Sequence, residues 1–247
     1  MSALPADYAP PANLLQNRRI LITGAGDGLG RAAALAAARH GATVILLGRT
    51  VSKLETTYDD IAKAGGPEAA IYPLNLGGAA WPDYFDLASS LEREFGGLDG
   101  ILHCAAHFKA WMPLRDVEPK EWIESLQVNL TAPFALTRHC LPLLSAAPDA
   151  SVVFCSDRHG REAHAFDGAY GVAKAGLEQM MRMWAQELRT VPTLRVNSFD
   201  PGPMQTGMRL KGYPGEQIAQ VPPPSNLTPP LLWLLGPDST GVSGQAF

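Results

Sequence analysis

The run Arg19-Ile20-Leu21-Ile22-Thr23-Gly24-Ala25-Gly26-Asp27-Gly28-Leu29-Gly30-Arg31-Ala32-Ala33-Ala34-Leu35-Ala36-Ala37-Ala38-Arg39 decides the fold. A short apolar segment enters a glycine-rich turn and leaves it as an alanine-rich stretch, which reads as buried strand, tight turn and closely packed helix. Glycines accept positive φ and let phosphates approach main-chain N–H groups at a helix N-terminus, where the dipole favours negative charge. The expected ligand is a dinucleotide, held by Gly24, Gly26, Asp27, Gly28, Leu29 and Gly30. A plain tight turn fits the same residues, and the remainder of the chain has to separate the two readings.

Outward from this stretch, strand and helix patterns alternate. Apolar runs at 42–47, 69–74, 98–104, 151–155 and 194–199 are spaced by helical patterns at 51–64, 81–95, 119–145 and 168–190, with a kink expected at Pro133. The alternation predicts an α/β fold over 18–247: one doubly wound parallel sheet of about seven strands, helices on both faces, and ligands outside the carboxyl ends of the strands. Residues 1–17, rich in Pro and Ala, read as a loosely ordered N-terminal arm. Segment 203–230 holds seven prolines and reads as a substrate-covering lid or an irregular connection. Residues 244–247 offer only a stub of a last strand.

The chain has 247 residues, 46% of them hydrophobic, enough for one sizeable core. Twenty basic against 24 acidic residues, with no long run of one sign, leave nucleic-acid binding and membrane attraction without electrostatic footing. No secretory leader and no run of about 18 apolar residues occurs, so a soluble cytoplasmic protein with a small-molecule substrate is expected. Cys104, Cys140 and Cys155 stand far apart in apolar contexts. They read as reduced core residues, against a disulfide frame or a metal site.

Tyr170 and Lys174 stand at i and i+4 near the start of a helix and share one face. A free tyrosine, with a pKa of about 10, is a poor acid or base at neutral pH, but an adjacent ammonium favours the phenolate. The pair is therefore a candidate proton-transfer device. A half-buried tyrosine one turn before a solvated lysine has the same spacing.

Together with Thr23-Gly24, Gly28 and Gly30, Val128-Asn129-Leu130, Arg195-Val196-Asn197, Pro201-Gly202 and Thr206, this pair makes residues 15–247 resemble the short-chain dehydrogenases/reductases. Gly100-Ile101-Leu102-His103, Gly168-Ala169-Tyr170 and Leu232-Trp233-Leu234-Leu235 are most similar to the bacterial YciK-type oxidoreductases of that family. The resemblance implies a Rossmann fold, nicotinamide-dependent carbonyl/alcohol chemistry and a homodimer or homotetramer. It implies Tyr170 as general acid/base, Lys174 on the ribose hydroxyls, and Asn129 holding a water in a proton relay. Pro201, Gly202 and Thr206 would complete the cofactor site.

Three positions depart from the family pattern. The serine usual thirteen residues before the tyrosine is Asp157, and the neighbouring Ser156 should point to the opposite face. An ionised carboxylate cannot donate to a carbonyl oxygen and repels a developing alkoxide, and losing one such donor costs on the order of 10² to 10³ in turnover. Asp157 is then protonated, or tied up by Arg158 or Arg161, or matched to a positively charged imine or amine substrate; a protein that binds dinucleotide with little turnover, as a sensor or partner-binding module, is the alternative. Epimerisation or dehydration would use the same tyrosine and lysine.

His103-Cys104-Ala105-Ala106 stands where the family carries Asn-Ala-Gly after a strand, and Asn75-Leu76 where an aspartate is common. Cys104, Ala105, Ala106, Asn75 and Leu76 are candidate cofactor contacts, with Asn75 able to bond the adenine amino group. An acidic residue at the end of the second strand would select NAD(H); Arg49 there favours the 2′-phosphate of NADP(H), while Asp27 pulls toward NAD(H). His103 is a candidate proton carrier or a packed strand-end residue. His107, Phe108, Trp111, Met112, His159, His164, Phe166 and Met204 are candidates for the substrate wall.

Overall fold

The glycine-turn stretch folds as strand β1 (Arg19–Thr23), buried beyond its first residue, followed by helix α1 (Gly28–Arg39). In this computed structural model, which describes residues 4, 5 and 7–247, the chain continues with β2 (Thr43–Gly48), α2 (Val51–Lys63), β3 (Ala70–Pro73), α3 (Trp81–Phe95) and β4 (Gly100–His103). Helices α4 (Pro119–Leu126) and α5 (Ala132–Ala146) precede β5 (Ala150–Cys155). After β5 come α6 (Gly168–Glu187), β6 (Leu194–Phe199), α7 (Gly207–Gly212) and α8 (Thr228–Leu235). All strand pairs are parallel, in the order β3-β2-β1-β4-β5-β6.

Six strands replace the expected seven among the described residues. Gly244 adopts a left-handed φ of 76°. The tail beyond it runs parallel to β6 as the expected stub, with Ser198 N–H donating to Gln245 O and Phe247 N–H to Ser198 O, both at 3.0 Å, around a single bridge from Ser198 to Ala246.

Both faces of β1 are covered, which is why its apolar run does not alternate with polar residues. Ile20 and Ile22 pack with Ala33, Ala37 and α8 on one side, while Leu21 packs with Leu87, Leu136 and Leu177 on the other. Leu177 and Met181 of α6 face this second core. Phe134, Val172 and Met183 are exposed.

Helix α1 reaches the sheet through one close approach. A Cβ on Gly30 would stand 2.4 Å from the carbonyl oxygen of Gly24, so only glycine lets the helix start directly over the strand end.

The long helical stretch is interrupted differently from the expectation at Pro133. The irregularity is a π-turn over Gln127–Thr131, and Pro133 lies just after it, in the first turn of α5. A proline cannot donate the ordinary i→i−4 bond, and the backbone accommodates this with a wider turn upstream.

Residues 1–3 and 6 of the expected N-terminal arm lie outside the described residues. Within the rest of 1–17, Leu14 and Leu15 are buried in the first core, and the Leu15 amide donates to the His40 carbonyl at 2.9 Å. In 203–230, the backbone turns through α7 and two short 3₁₀ segments, tied across by Gln205 N–H to Pro222 O at 3.0 Å. Among the described residues no helix is long and apolar enough to cross a membrane.

Behind the sheet, Asp149 accepts from both Arg18 and Arg195, and Arg195 also donates to the Gly236 carbonyl at 3.0 Å. Arg195 is fully buried. Removing the carboxylate strands that guanidinium, so Asp149→Ala should lower stability by about 3 kcal/mol. The check is a shift in urea midpoint with unchanged slope.

Candidate active site

At the carboxyl ends of the strands lies a cleft of about 1370 Å³. Gly24, Gly26, Asp27, Gly28, Leu29 and Gly30 form one wall; Arg49, Asn75 and Leu76 close one end. Cys104, Ala105 and Ala106 line its middle, and Asp157, Tyr170, Lys174, Pro201, Gly202 and Thr206 line the other side. Residues spread over most of the chain thus meet in one place.

Asp27 caps α1 through its own carboxylate, which accepts from Gly28 N–H at 2.8 Å. Lys53 from α2 pairs with it and holds its carboxyl below the usual range. The charge that opposed a phosphate is thereby answered by a lysine 26 positions away, which no local pattern signals. Arg49 is exposed at the end of β2 and has no ion-pair partner among the described residues. The Asn75 side chain accepts from Gly77 N–H at 3.2 Å, and the Ala105 amide donates to the Thr23 hydroxyl at 3.0 Å, tying β4 to β1 at the floor.

Asn129 sits behind this wall rather than on it. It is buried in the π-turn, where its side chain accepts from His107 N–H at 3.0 Å and donates to His107 O at 2.8 Å and to Ser125 Oγ at 3.2 Å. It clamps the backbone after β4. The His107 ring in turn lies 3.0 Å from Glu121 and 3.4 Å from Glu124.

Tyr170 and Lys174 are both buried on one face of α6. The Tyr170 hydroxyl donates to Asp157 Oδ2 at 3.0 Å, and Lys174 Nζ donates to the Cys155 carbonyl at 2.6 Å. Burial, then the Asp157 carboxylate, push the Tyr170 phenol well above its ordinary value; burial pulls the Lys174 ammonium down. Phe108 and Trp111 stand edge-on to the tyrosine ring, with centroids at 5.4 and 6.0 Å. They form an aromatic wall beside the tyrosine.

The loop carrying Asp157 lies flat on α6, where a Cβ on Gly160 would come within 2.6 Å of the Lys174 backbone. Asp157 Oδ1 accepts from His159 N–H at 3.0 Å. The His159 ring bonds Asp167 at 2.7 Å, stands 3.8 Å from Asp157 and packs on Trp111. Neither arginine considered as a partner reaches Asp157: Arg161 goes to Glu178 and the Phe247 carbonyl, and Arg158 to His159. The partner is His159, held by Asp167 eight residues on, a spacing no periodicity flags. Ser156 is buried beside Glu178.

His103 is buried under Phe154, stacked at 4.8 Å, with Nε2 against Thr137 Oγ1 at 3.0 Å. Burial, then Lys174, lower its pKa to about 3, so it is a neutral core residue rather than a proton carrier at physiological pH. Cys104 and Cys155 also differ from the expectation of separated core thiols. Both line the cleft, and their Sγ atoms are 3.0 Å apart.

A glycine-turn nucleotide cleft with a Tyr-x-x-x-Lys pair on its rim defines a class, and residues 18–216 match the short chain dehydrogenase family. The chain belongs to this family of oxidoreductases, with its Rossmann-type α/β fold. It is 38% identical over 240 residues to the oxidoreductase YciK of Escherichia coli K12, covering 97% of this chain and 94% of that one. A short chain dehydrogenase from Pseudomonas syringae is 45% identical, covers 97% of each chain and superposes with a TM-score of 0.95. A short chain dehydrogenase from Shigella flexneri 2a, complexed with NADP, is 38% identical over 96% of this chain and 98% of that one, with a TM-score of 0.93.

Two titrations follow from these environments. Asp157→Ser removes the charge that raises Tyr170, so the phenol should ionise at lower pH than in the parent, as read by its ultraviolet difference spectrum. For His103, the unfolded chain takes up a proton near 6.5 that the folded chain refuses until about 3. Stability should therefore fall as pH drops across that window and stay level above it. His103→Phe should flatten this dependence in urea titrations.

Proposed function

We propose that this chain is an NADP(H)-dependent oxidoreductase whose preferred substrate carries a protonatable C=N bond, with Tyr170, Lys174 and Asp157 at the reacting end of the cleft. The observation that carries the reading is the Tyr170–Asp157 hydrogen bond, which puts an acceptor carboxylate where a neutral carbonyl needs a donor.

The residues present fit a dinucleotide. The α1 N-terminus and the Gly24–Gly30 approach leave room for a pyrophosphate against main-chain N–H groups. Arg49 and the adjacent Lys53 supply cations for a 2′-phosphate, and the NADP complex of the Shigella flexneri relative supports the same choice. Lys174 lies within reach of ribose hydroxyls from beneath. When bound, the nicotinamide supplies or accepts a hydride. Pro201, Gly202 and Thr206, which line the cleft, would help to hold it.

At the substrate end, Asp157 would stabilise a protonated imine nitrogen by charge, and a substrate that loses its positive charge on reduction needs no oxyanion donor. Tyr170, kept as the phenol, donates a hydrogen bond that orients Asp157. Asn129 acts from behind, through the His107 backbone that it clamps. Residues 203–230 cover the substrate as a lid tethered by Gln205. The exposed Phe134, Val172 and Met183 are surfaces for a homodimer or homotetramer.

The experiment is titration with NADPH and NADH, then nicotinamide absorbance with ketones, aldehydes and cyclic imines. Tighter NADPH binding and turnover of cyclic imines over ketones are expected, with Asp157→Ser lowering imine turnover by about 10²-fold. The imine reading is overturned if Asp157→Ser gains ketone activity with no imine activity to lose. Binding without any turnover, in both parent and variant, would favour the sensor alternative.

A further inference from the structure

The two cysteines of the cleft come together through the sheet. β4 and β5 pair in register up to His103 opposite Phe154, so the next residues on each strand are Cys104 and Cys155. Neighbouring parallel strands run about 4.8 Å apart, inside the Cα separation that a disulfide spans. The thiols are free and their sulfurs stand 3.0 Å apart. Closing to a bond of about 2.05 Å needs an inward movement of about one ångström. Cys104 is partly exposed at the cleft while Cys155 lies beneath it. The third cysteine, Cys140, is buried on α5 in the core of the opposite sheet face.

We propose that Cys104 and Cys155 form a dithiol that small hydroperoxides oxidise to a disulfide, and that the cross-link weakens binding of the dinucleotide in the cleft. The first step transfers one oxygen: the Cys104 sulfur attacks the peroxide, the O–O bond breaks, and sulfenic acid and water are formed from hydrogen peroxide. In the second, the Cys155 sulfur attacks the sulfenic sulfur and a second water leaves. Two thiols lose two electrons and two protons, and one peroxide becomes two waters. An exogenous thiol reverses the bond by exchange.

The access and the consequence both follow from position. Peroxide reaches Cys104 through the open cleft, which a bound dinucleotide fills, so the ligand protects the pair; this part rests on the cofactor site proposed above. At equilibrium with a thiol/disulfide couple, a disulfide that weakens dinucleotide binding is itself disfavoured by bound dinucleotide by the same factor. The structural path is short. The Cys155 carbonyl receives the Lys174 ammonium at 2.6 Å, and Ala105 N–H, next to Cys104, holds Thr23. Fixing the two side chains in the disulfide geometry pulls on the backbone that carries both contacts. The S–H···S contact with Cys155, then burial, raise the Cys104 thiol, so oxidation speeds up as pH rises.

The test treats the reduced full chain with hydrogen peroxide, with and without NADPH, and follows thiol count, mass and NADPH affinity. Expected are loss of two thiols, a Cys104–Cys155 cross-linked peptide, recovery with dithiothreitol, and NADPH binding weakened by about tenfold. Cys140→Ser should keep the response, while Cys104→Ala and Cys155→Ala should each lose the cross-link, every variant being compared with its own untreated form. Sulfinic or sulfonic acid on Cys104 without a cross-link would overturn the proposal, as would a cross-link that leaves NADPH affinity unchanged. A cross-link in a protein that binds no NADPH even when reduced would keep the dithiol, and would overturn its coupling to a dinucleotide together with the cofactor reading on which that coupling rests.

Discussion

The carbonyl of Gly24 touching the backbone of Gly30 is the constraint on which the site depends. With no side chain between them, α1 begins directly above the end of β1, and its free N–H groups open into the space where the strands end. Any Cβ at position 30 would lift the helix by more than the packing of Ala33 and Ala37 on Ile20 and Ile22 tolerates. The cleft floor follows from the same placement. Thr23, held at the end of β1, fixes Ala105 on the neighbouring strand, and the loops after β4 and β5 are laid out from there.

Around Tyr170 the electrostatics run opposite to the arrangement the family resemblance implies. A lysine at i+4 should favour the phenolate, yet its ammonium is turned to the Cys155 carbonyl and the tyrosine faces a carboxylate. Burial and Asp157 therefore decide the protonation state, and both favour the phenol. The environment of Asp157 makes its own role consistent: two donors, one from Tyr170 and one from the His159 backbone, and an imidazole braced by Asp167. An ionised carboxylate so arranged is an acceptor only.

The strands, the order of elements and the Tyr170–Lys174 pair were legible because they are local: apolar runs, glycine punctuation and an i, i+4 spacing carry them directly. The sheet edge was less so, since the tail after Gly244 is too short to form more than a stub beside β6. What the sequence does not carry is proximity between distant positions. Cys104 and Cys155 are 51 residues apart and meet only because β4 and β5 are neighbours in register. Lys53 beside Asp27, and His159 between Asp157 and Asp167, are likewise products of packing. Asn129 was visible only through the family resemblance, in Val128-Asn129-Leu130, and its use as a backbone clamp depends on the π-turn around it.

That π-turn has a mechanical meaning. Each residue advances a helix by about 100°, so one widened turn resets the angular phase of everything that follows it. Upstream, α4 aims Glu121 and Glu124 into the cleft; downstream, α5 aims Leu136 and Cys140 at the sheet. The turn works like an offset gear tooth on a single shaft. It lets one nearly continuous rod serve a wet catalytic rim and a dry core, with each face set independently of the other.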